Sequence, residues 1–371
     1  MYEQFQEIQE DTLYIILYSI VTAMNALASI YLLLRRGNAF AADITPPVRL
    51  RRWTAAFFAV LAIGHLWYIP AMMFDSREAA MVSMLIGALL DCILTIPLAL
   101  GVMLCMLQDR RRSLWPIGVM VAPLAVGMIV CIITRSDALL PWVRGYFLLA
   151  FIGFTIYMVG AVRQYGRWLR DNFADLEHKE VWQSFVALAV MAIMFGYYVA
   201  GYGGMFYEYI VQVFGLFLIF YLLWRVETLS DLSIPLTQSL PANDTDTEDI
   251  EDNTLSPTIH ENIGALLQQH CIDTQLYLQH DLTVFQLAQT IGVNRLYLSQ
   301  YFSRQGMSYN AYINNLRINH FVSLYREAAA AKRNFTAQQL AHDSGYQSYS
   351  TFSLAFKQRM GQSVTAWMRT Q

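Results

Sequence analysis

The sequence predicts an all-α protein, a seven-helix transmembrane bundle followed by a soluble domain of two helix-turn-helix units joined by a long helix. Three observations predict it. Hydrophobic residues make up 56% of the 371 residues and charged residues only 14%, with a mean hydropathy of +0.35; soluble domains usually hold roughly 45–50% apolar and about 25% charged residues. The apolar residues concentrate in stretches of bilayer-spanning length, all before residue 229. In the last quarter of the chain, a short Leu-Ala and Gly pattern occurs twice. The same composition excludes collagen, disorder and a disulfide scaffold. The four cysteines (Cys92, Cys105, Cys131, Cys271) lack metal-type spacing and read as small buried hydrophobes.

A spanning helix needs about 20 mostly apolar residues. Seven stretches qualify: Leu13–Leu34, Trp53–Phe74, Ala79–Leu107, Leu114–Ile133, Leu140–Val162, Val181–Gly201 and Phe206–Trp224. The first is no cleavable leader, because its head carries Glu3, Glu7, Glu10 and Asp11 in place of a basic region. Lys and Arg fall mainly in alternate loops: Arg35, Arg36, Arg49, Arg51 and Arg52, then Arg110–Arg112, then Arg163, Arg167, Arg170 and Lys179, then Arg225. That is thirteen on one side against Arg77, Arg135 and Arg144 on the other. The bias predicts an outside N-terminus and a cytoplasmic C-terminus in the inner membrane.

Within the stretches, Asn25, His65 and Asp91 each lie about 12 residues in, roughly 18 Å deep and near the midplane. Intramembrane polar groups either glue helices or serve a ligand or proton, so these three are the candidate sensing residues. Pro70, Pro97 and Pro123 are candidate kinks. Tyr197, Tyr198, Tyr202, Tyr207 and Tyr209, around Gly201, Gly203 and Gly204, read as an interfacial belt.

Domain 1–228 is thus the expected membrane part. Residues 229–257 form an acidic flexible linker, with seven carboxylates between Asp231 and Asp252 and no Lys or Arg. Residues 258–371 form the soluble domain. From Asp281 onward nine basic residues face three acidic ones, a balance that suits a polyanion. Leu287-Ala288 with Gly292 recurs as Leu340-Ala341 with Gly345, 53 residues on; the apolar positions that follow, Leu298 and Phe302, recur as Phe352 and Phe356, 54 on. Each copy reads as helix, Gly turn and second helix, placing the units at about 283–303 and 336–357. Asn294 and Ser348 sit where each second helix needs an N-cap. Between the units, Tyr312, Ile313, Leu316, His320, Phe321 and Leu324 keep helical spacing over about Tyr309–Arg326. A rod of that length can hold two reading helices about one DNA turn apart. A helix over about Ile259–Cys271 is expected to pack on this domain.

This stretch resembles the DNA-binding domain of the AraC/XylS family of bacterial transcription regulators. The resemblance covers roughly Leu276 to Arg369. It rests on Asp281-Leu282-Thr283, Leu287-Ala288, Gly292, Tyr297-Leu298-Ser299, Phe302, Gly306, Tyr312, Leu316-Arg317-Ile318, Leu340-Ala341, Gly345-Tyr346, Ser348, Phe352, Phe356-Lys357 and Gly361. Val364 stands where the family usually carries Pro. The tail is similar to output domains of regulators in the Bacteroides group. The resemblance implies that the second helix of each unit reads DNA. On the first helix the solvent-facing positions are Arg295, Leu296, Ser299 and Gln300; on the second they are Gln347, Tyr349, Ser350, Ser353 and Lys357. Arg suits guanine, Gln adenine and Leu a thymine methyl. Asn294, Ser348, Arg304 and Lys357 suit phosphates.

No P-loop, GxSxG, HExxH or kinase-type motif is present, and no cofactor or metal is implied. The expected function is a membrane-bound one-component transcription regulator. Its expected partners are double-stranded DNA, cytoplasmic-membrane lipid, RNA polymerase, an unidentified ligand and a second copy of the chain. The alternative is a seven-helix transporter or membrane enzyme with a regulatory DNA-binding tail, although residues 1–228 show no inverted internal symmetry.

Overall fold

A computed structural model describes residues 11–35, 38–39, 44–70, 74, 76–182, 185, 189, 204–232 and 257–371. Among them the regular structure is helical, with a single isolated bridge between Phe173 and Thr283. Contacts divide the chain into two units, one of residues 1–163 and 181–234 and one of residues 164–180 and 235–371.

The first unit contains α1 (Thr12–Leu34), α2 (Val48–Trp67), α3 (Arg77–Leu90), α4 (Ile96–Met106), α5 (Trp115–Thr134), most of α6 (Leu140–Asn172) and α7 (Met205–Thr228). A π-helical turn, Asp91–Thr95, joins α3 to α4. Among the described residues five helical segments are long and apolar enough to cross a membrane: α1, Glu78–Met106, α5, α6 and α7. Of the other two expected stretches, the second is helical as α2, which opens on Arg49, Arg51 and Arg52. The sixth, Val181–Gly201, lies mostly outside the described residues, as do Tyr197, Tyr198 and Tyr202 of the expected tyrosine belt and all but the ends of the acidic linker.

Large apolar side chains stand on the outside of these helices, among them Val119 at 61% exposure, Leu149 and Ile156 at 69% and Val213 at 59%. Polar groups turn inward instead. Ser29 Oγ donates to Ala55 O at 2.8 Å, and Arg51 Nε donates to Leu32 O at 2.7 Å. Gly101 allows α4 to approach Trp53, since a Cβ there would lie 2.4 Å from the indole.

The candidate sensing residues do not hydrogen-bond to one another. Asn25, 2% exposed, donates back to Val21 O of its own helix. His65 meets Leu61 O at 2.8 Å and Gln212 Oε1 at 3.3 Å, and its backbone carbonyl accepts from Tyr18. Asp91 accepts from Tyr68 Oη at 2.6 Å and Thr95 Oγ1 at 2.8 Å. Similar depth on successive helices left side-chain direction open, and a phenol one turn beyond His65 reaches the carboxylate instead.

Helix α6 extends ten residues past the expected end at Val162. Tyr165, Leu169 and Phe173 are buried at four-residue spacing, so an inward apolar stripe continues the helix among Arg163, Arg167 and Arg170. Residues 164–180, which the sequence assigns to domain 1–228, pack with the second unit.

The second unit holds α8 (Pro257–Leu267), a π-helical turn Gln268–Ile272, a 3-10 turn Leu276–Leu278, α9 (Val284–Ile291), α10 (Arg295–Arg304), α11 (Tyr309–Ala330), α12 (Ala337–Asp343), α13 (Tyr349–Met360) and α14 (Val364–Thr370). One core gathers Leu287, Ala288, Leu298, Phe302 and Ile313 together with Ile263, Leu267 and Cys271, so α8 packs on the domain as expected. The other gathers Phe321, Leu340, Ala341, Phe352, Phe356 and Trp367. Helix α11 contributes to both and runs past the expected end at Arg326.

Arg317 of α11 joins the two cores. Its side chain is buried, Nε donates to Tyr277 O and Nη2 to Gln279 O, each at 2.7 Å, and the guanidinium lies 5.5 Å from the Tyr346 ring centroid. Burial lowers its pKa, while Tyr346 and Asp175 favour the charge.

Candidate nucleic-acid interface

The second helices of the two helix-turn-helix units, α10 and α13, are positioned by the same local devices. Thr283 caps α9, accepting from the Gln286 amide while the Gln286 side chain accepts from the Thr283 amide. Thr336 and Gln339 repeat this reciprocal box at α12, again 53 residues on. The Thr-x-x-Gln signal was present in the sequence, and it fixes the start of each supporting helix. Asn294 then caps α10 by accepting from Leu296 N at 2.8 Å. Ser348 caps α13 by accepting from Thr351 N at 3.3 Å.

Between the glycine and the following cap the turns differ by one residue, two steps from Gly292 to Asn294 and three from Gly345 to Ser348. Gly292, at φ 71°, ends α9 and Asn294 follows two residues later. In the second unit Ser344 ends α12, and Gly345-Tyr346-Gln347 precedes Ser348. Gly345 has φ 88°, and a Cβ there would lie 2.8 Å from Leu278 Cα and O. Tyr346 stands where the first unit has Val293, each amide donating to the carbonyl five residues back, and is buried at 2% exposure beneath Arg317; the extra residue is Gln347. This insertion is why the repeat offset changes from 53 to 54 across the turn.

Residues 287–370 match a family model described as a helix-turn-helix domain. The C-terminal segment is an AraC/XylS-type DNA-binding domain. No curated protein and no solved structure matches the chain.

Within this AraC/XylS-type domain the expected reading positions separate by exposure. Asn294, Arg295, Leu296, Arg304, Gln347, Ser350 and Lys357 are exposed; Ser299, Gln300, Ser348, Tyr349 and Ser353 are half-buried. Tyr349 packs against the second core, its ring 5.7 Å from Phe352, which explains its reduced exposure. Ser348 spends its hydroxyl on the cap. The Gln300 Oε1 is enclosed without a hydrogen-bond partner. Arg295 donates through Nη2 to Asn172 Oδ1, and its partial burial lowers its pKa.

Leu354 was missed. It is 61% exposed, against 58% for Leu296, while every other large apolar side chain of the described domain is at least partly covered. With the 54-residue offset, Leu296 and Gln300 correspond to Ser350 and Leu354, pairs one helical turn apart on their helices. An aliphatic residue in an amphipathic helix reads as core in sequence, so Leu354 carried no outward signal. Val364, at the family's usual proline position, is the first residue of α14 after the Ser363 cap. Proline is tolerated at that position but is not required there.

Gly345→Ala is expected to cost on the order of 2–4 kcal/mol, from left-handed strain plus the clash with Leu278. Gly361→Ala has similar φ (71°) but open space, and should cost about 1 kcal/mol. Hydrogen-exchange protection of the amides in α12 and α13 measures both; equal losses would refute the steric account.

Proposed function

We propose that the protein is a one-component transcription regulator held in the cytoplasmic membrane. The carrying observation is that one chain combines an AraC/XylS-type DNA-binding domain with five helices long and apolar enough to cross a membrane. The outward-facing Val119, Leu149, Ile156 and Val213 support lipid contact. The thirteen-to-three Lys and Arg split supports an outside N-terminus and a cytoplasmic tail. The tail recruits or blocks RNA polymerase at a promoter, and a second copy of the chain serves as partner.

In this reading α10 and α13 enter successive major grooves. Arg295 pairs with a guanine and Gln300 with an adenine, while Leu296 and Leu354 meet thymine methyls. Ser299, Gln347, Tyr349, Ser350 and Ser353 flank them. Asn294, Ser348, Arg304 and Lys357 hold phosphates and set register. With duplexes enriched by the full-length protein from a random-sequence pool, affinity should fall steeply with salt as counterions are released. Arg295→Ala should cost on the order of 1–3 kcal/mol at a single base pair. Equal weakening on every sequence would make Arg295 a phosphate contact instead.

Topology is tested by fusing a phosphatase that is active only outside the membrane. A fusion after Trp224 should be inactive and one after Ser76 active. The reverse pattern would place the domain away from DNA and end this reading.

The membrane unit senses the signal through its polar groups. Asp91 is the focus, because its two hydrogen bonds sit on a π-helical turn, a feature frequent at functional sites. Asp91→Asn should leave membrane abundance unchanged and lock reporter transcription on or off. Abundance and output falling together would mark Asp91 as helix glue, and no change in either would remove it from the site.

A further inference from the structure

The stretch 164–180 packs against the DNA-binding domain. Its middle is anchored: Ala174 N donates to Leu282 O at 2.9 Å, Asn310 Nδ2 donates to Ala174 O at 2.7 Å, and Ala174 lies in the first core. Its flanks reach both reading helices. Asn172 Oδ1 accepts from the Arg295 guanidinium at the start of α10. Glu177 Oε2 accepts from Thr351 Oγ1 at 3.0 Å in the first turn of α13. Asp171 lines, with Ser299, Gln300 and Ser303 of α10, a cavity of about 460 Å³.

The distal part of this stretch, residues 171–180, is acidic where the domain is basic, while residues 164–170 add Arg167 and Arg170. Residues 171–180 carry Asp171, Asp175, Glu177 and Glu180 against Lys179 alone. Lys179 is itself occupied by Asp281, at 2.8 Å. From Asp281 to the end, by contrast, nine basic residues face three acidic ones. Carboxylates beside a phosphate-binding surface compete with DNA on two counts: they occupy its donors, and they repel the incoming polyanion.

We infer that Asp171–Glu177 is an intramolecular clamp that holds Arg295 and, through Thr351, the first turn of α13 away from DNA, so that promoter binding requires these flanking contacts to break. The clamp rests on the DNA-reading role of α10 and α13 given above. It also offers a route for control. Asn172 is the last residue of α6, so a rotation or axial shift of that helix moves the acceptor that engages Arg295. A signal that prefers one position of α6 shifts the population of free reading helices by its differential affinity alone.

The test uses the full-length protein in lipid nanodiscs and fluorescent duplexes enriched by the same protein from a random pool. Asn172→Ala combined with Glu177→Ala removes both flanking acceptors and leaves the Ala174 anchor in place. The clamp requires this variant to bind the duplex about tenfold more tightly than wild type, as expected for releasing two modest hydrogen bonds. Glu177→Gln keeps an acceptor and removes the charge; it should tighten binding about threefold at low salt and less at high salt. It also decides the matter if the double variant unfolds. Unchanged or weaker binding by a folded variant would overturn the clamp and make Asn172 a residue that orients Arg295 toward its base, leaving DNA reading intact. Failure of wild type and variants alike to bind any duplex would overturn both readings.

Discussion

The buried Arg317 guanidinium is the point on which the second unit turns. A charge taken out of water in this way costs on the order of several kcal/mol unless fully engaged. Here it is engaged by two backbone carbonyls from the segment that precedes the first helix-turn-helix and by the face of Tyr346 from the turn of the second. The donor side chain itself belongs to the rod between them. Three stretches far apart in sequence are thus fixed to one side chain, and the planar fork of Arg can do this where the single point charge of Lys cannot. The spacing of the two helix-turn-helix units depends on that junction.

The first unit follows a different economy. Its helices leave Val, Leu, Ile and Phe outside and hide hydroxyls, amides and carboxylates within. Five of the described helical segments are long and apolar enough to cross a membrane, and in a bilayer such helices associate through close approach and interhelical hydrogen bonds. Gly101 beneath Trp53 supplies the first, and Ser29 on Ala55, Tyr18 on His65 and Tyr68 on Asp91 supply the second.

Much of this was legible in the sequence, for identifiable reasons. Helical periodicity and the Leu-Ala and Gly repeat located both helix-turn-helix units, because core positions must recur where two identical packing problems are solved twice. Cap residues such as Asn294 and Ser348 could be read because orphan amides demand side-chain acceptors. What was not legible depended on contacts distant in sequence. The Tyr68 partner of Asp91, the exposed side of Leu354 and the docking of Ala174 into a core more than a hundred residues away leave no local pattern. The extension of α6 past Val162 was hidden in the same way: its arginines read as a topology signal, while the stripe of Tyr165, Leu169 and Phe173 lies between them.

The extra residue in the second turn has a consequence for what the protein can recognise. Because the insertion begins α13 one residue later, the second helix presents Ser350 and Leu354 where the first presents Leu296 and Gln300. Under the proposed function, the two helices therefore favour different base sequences. Under that reading a single copy of the chain imposes polarity on its target, and a promoter bound this way has two distinguishable ends before polymerase arrives.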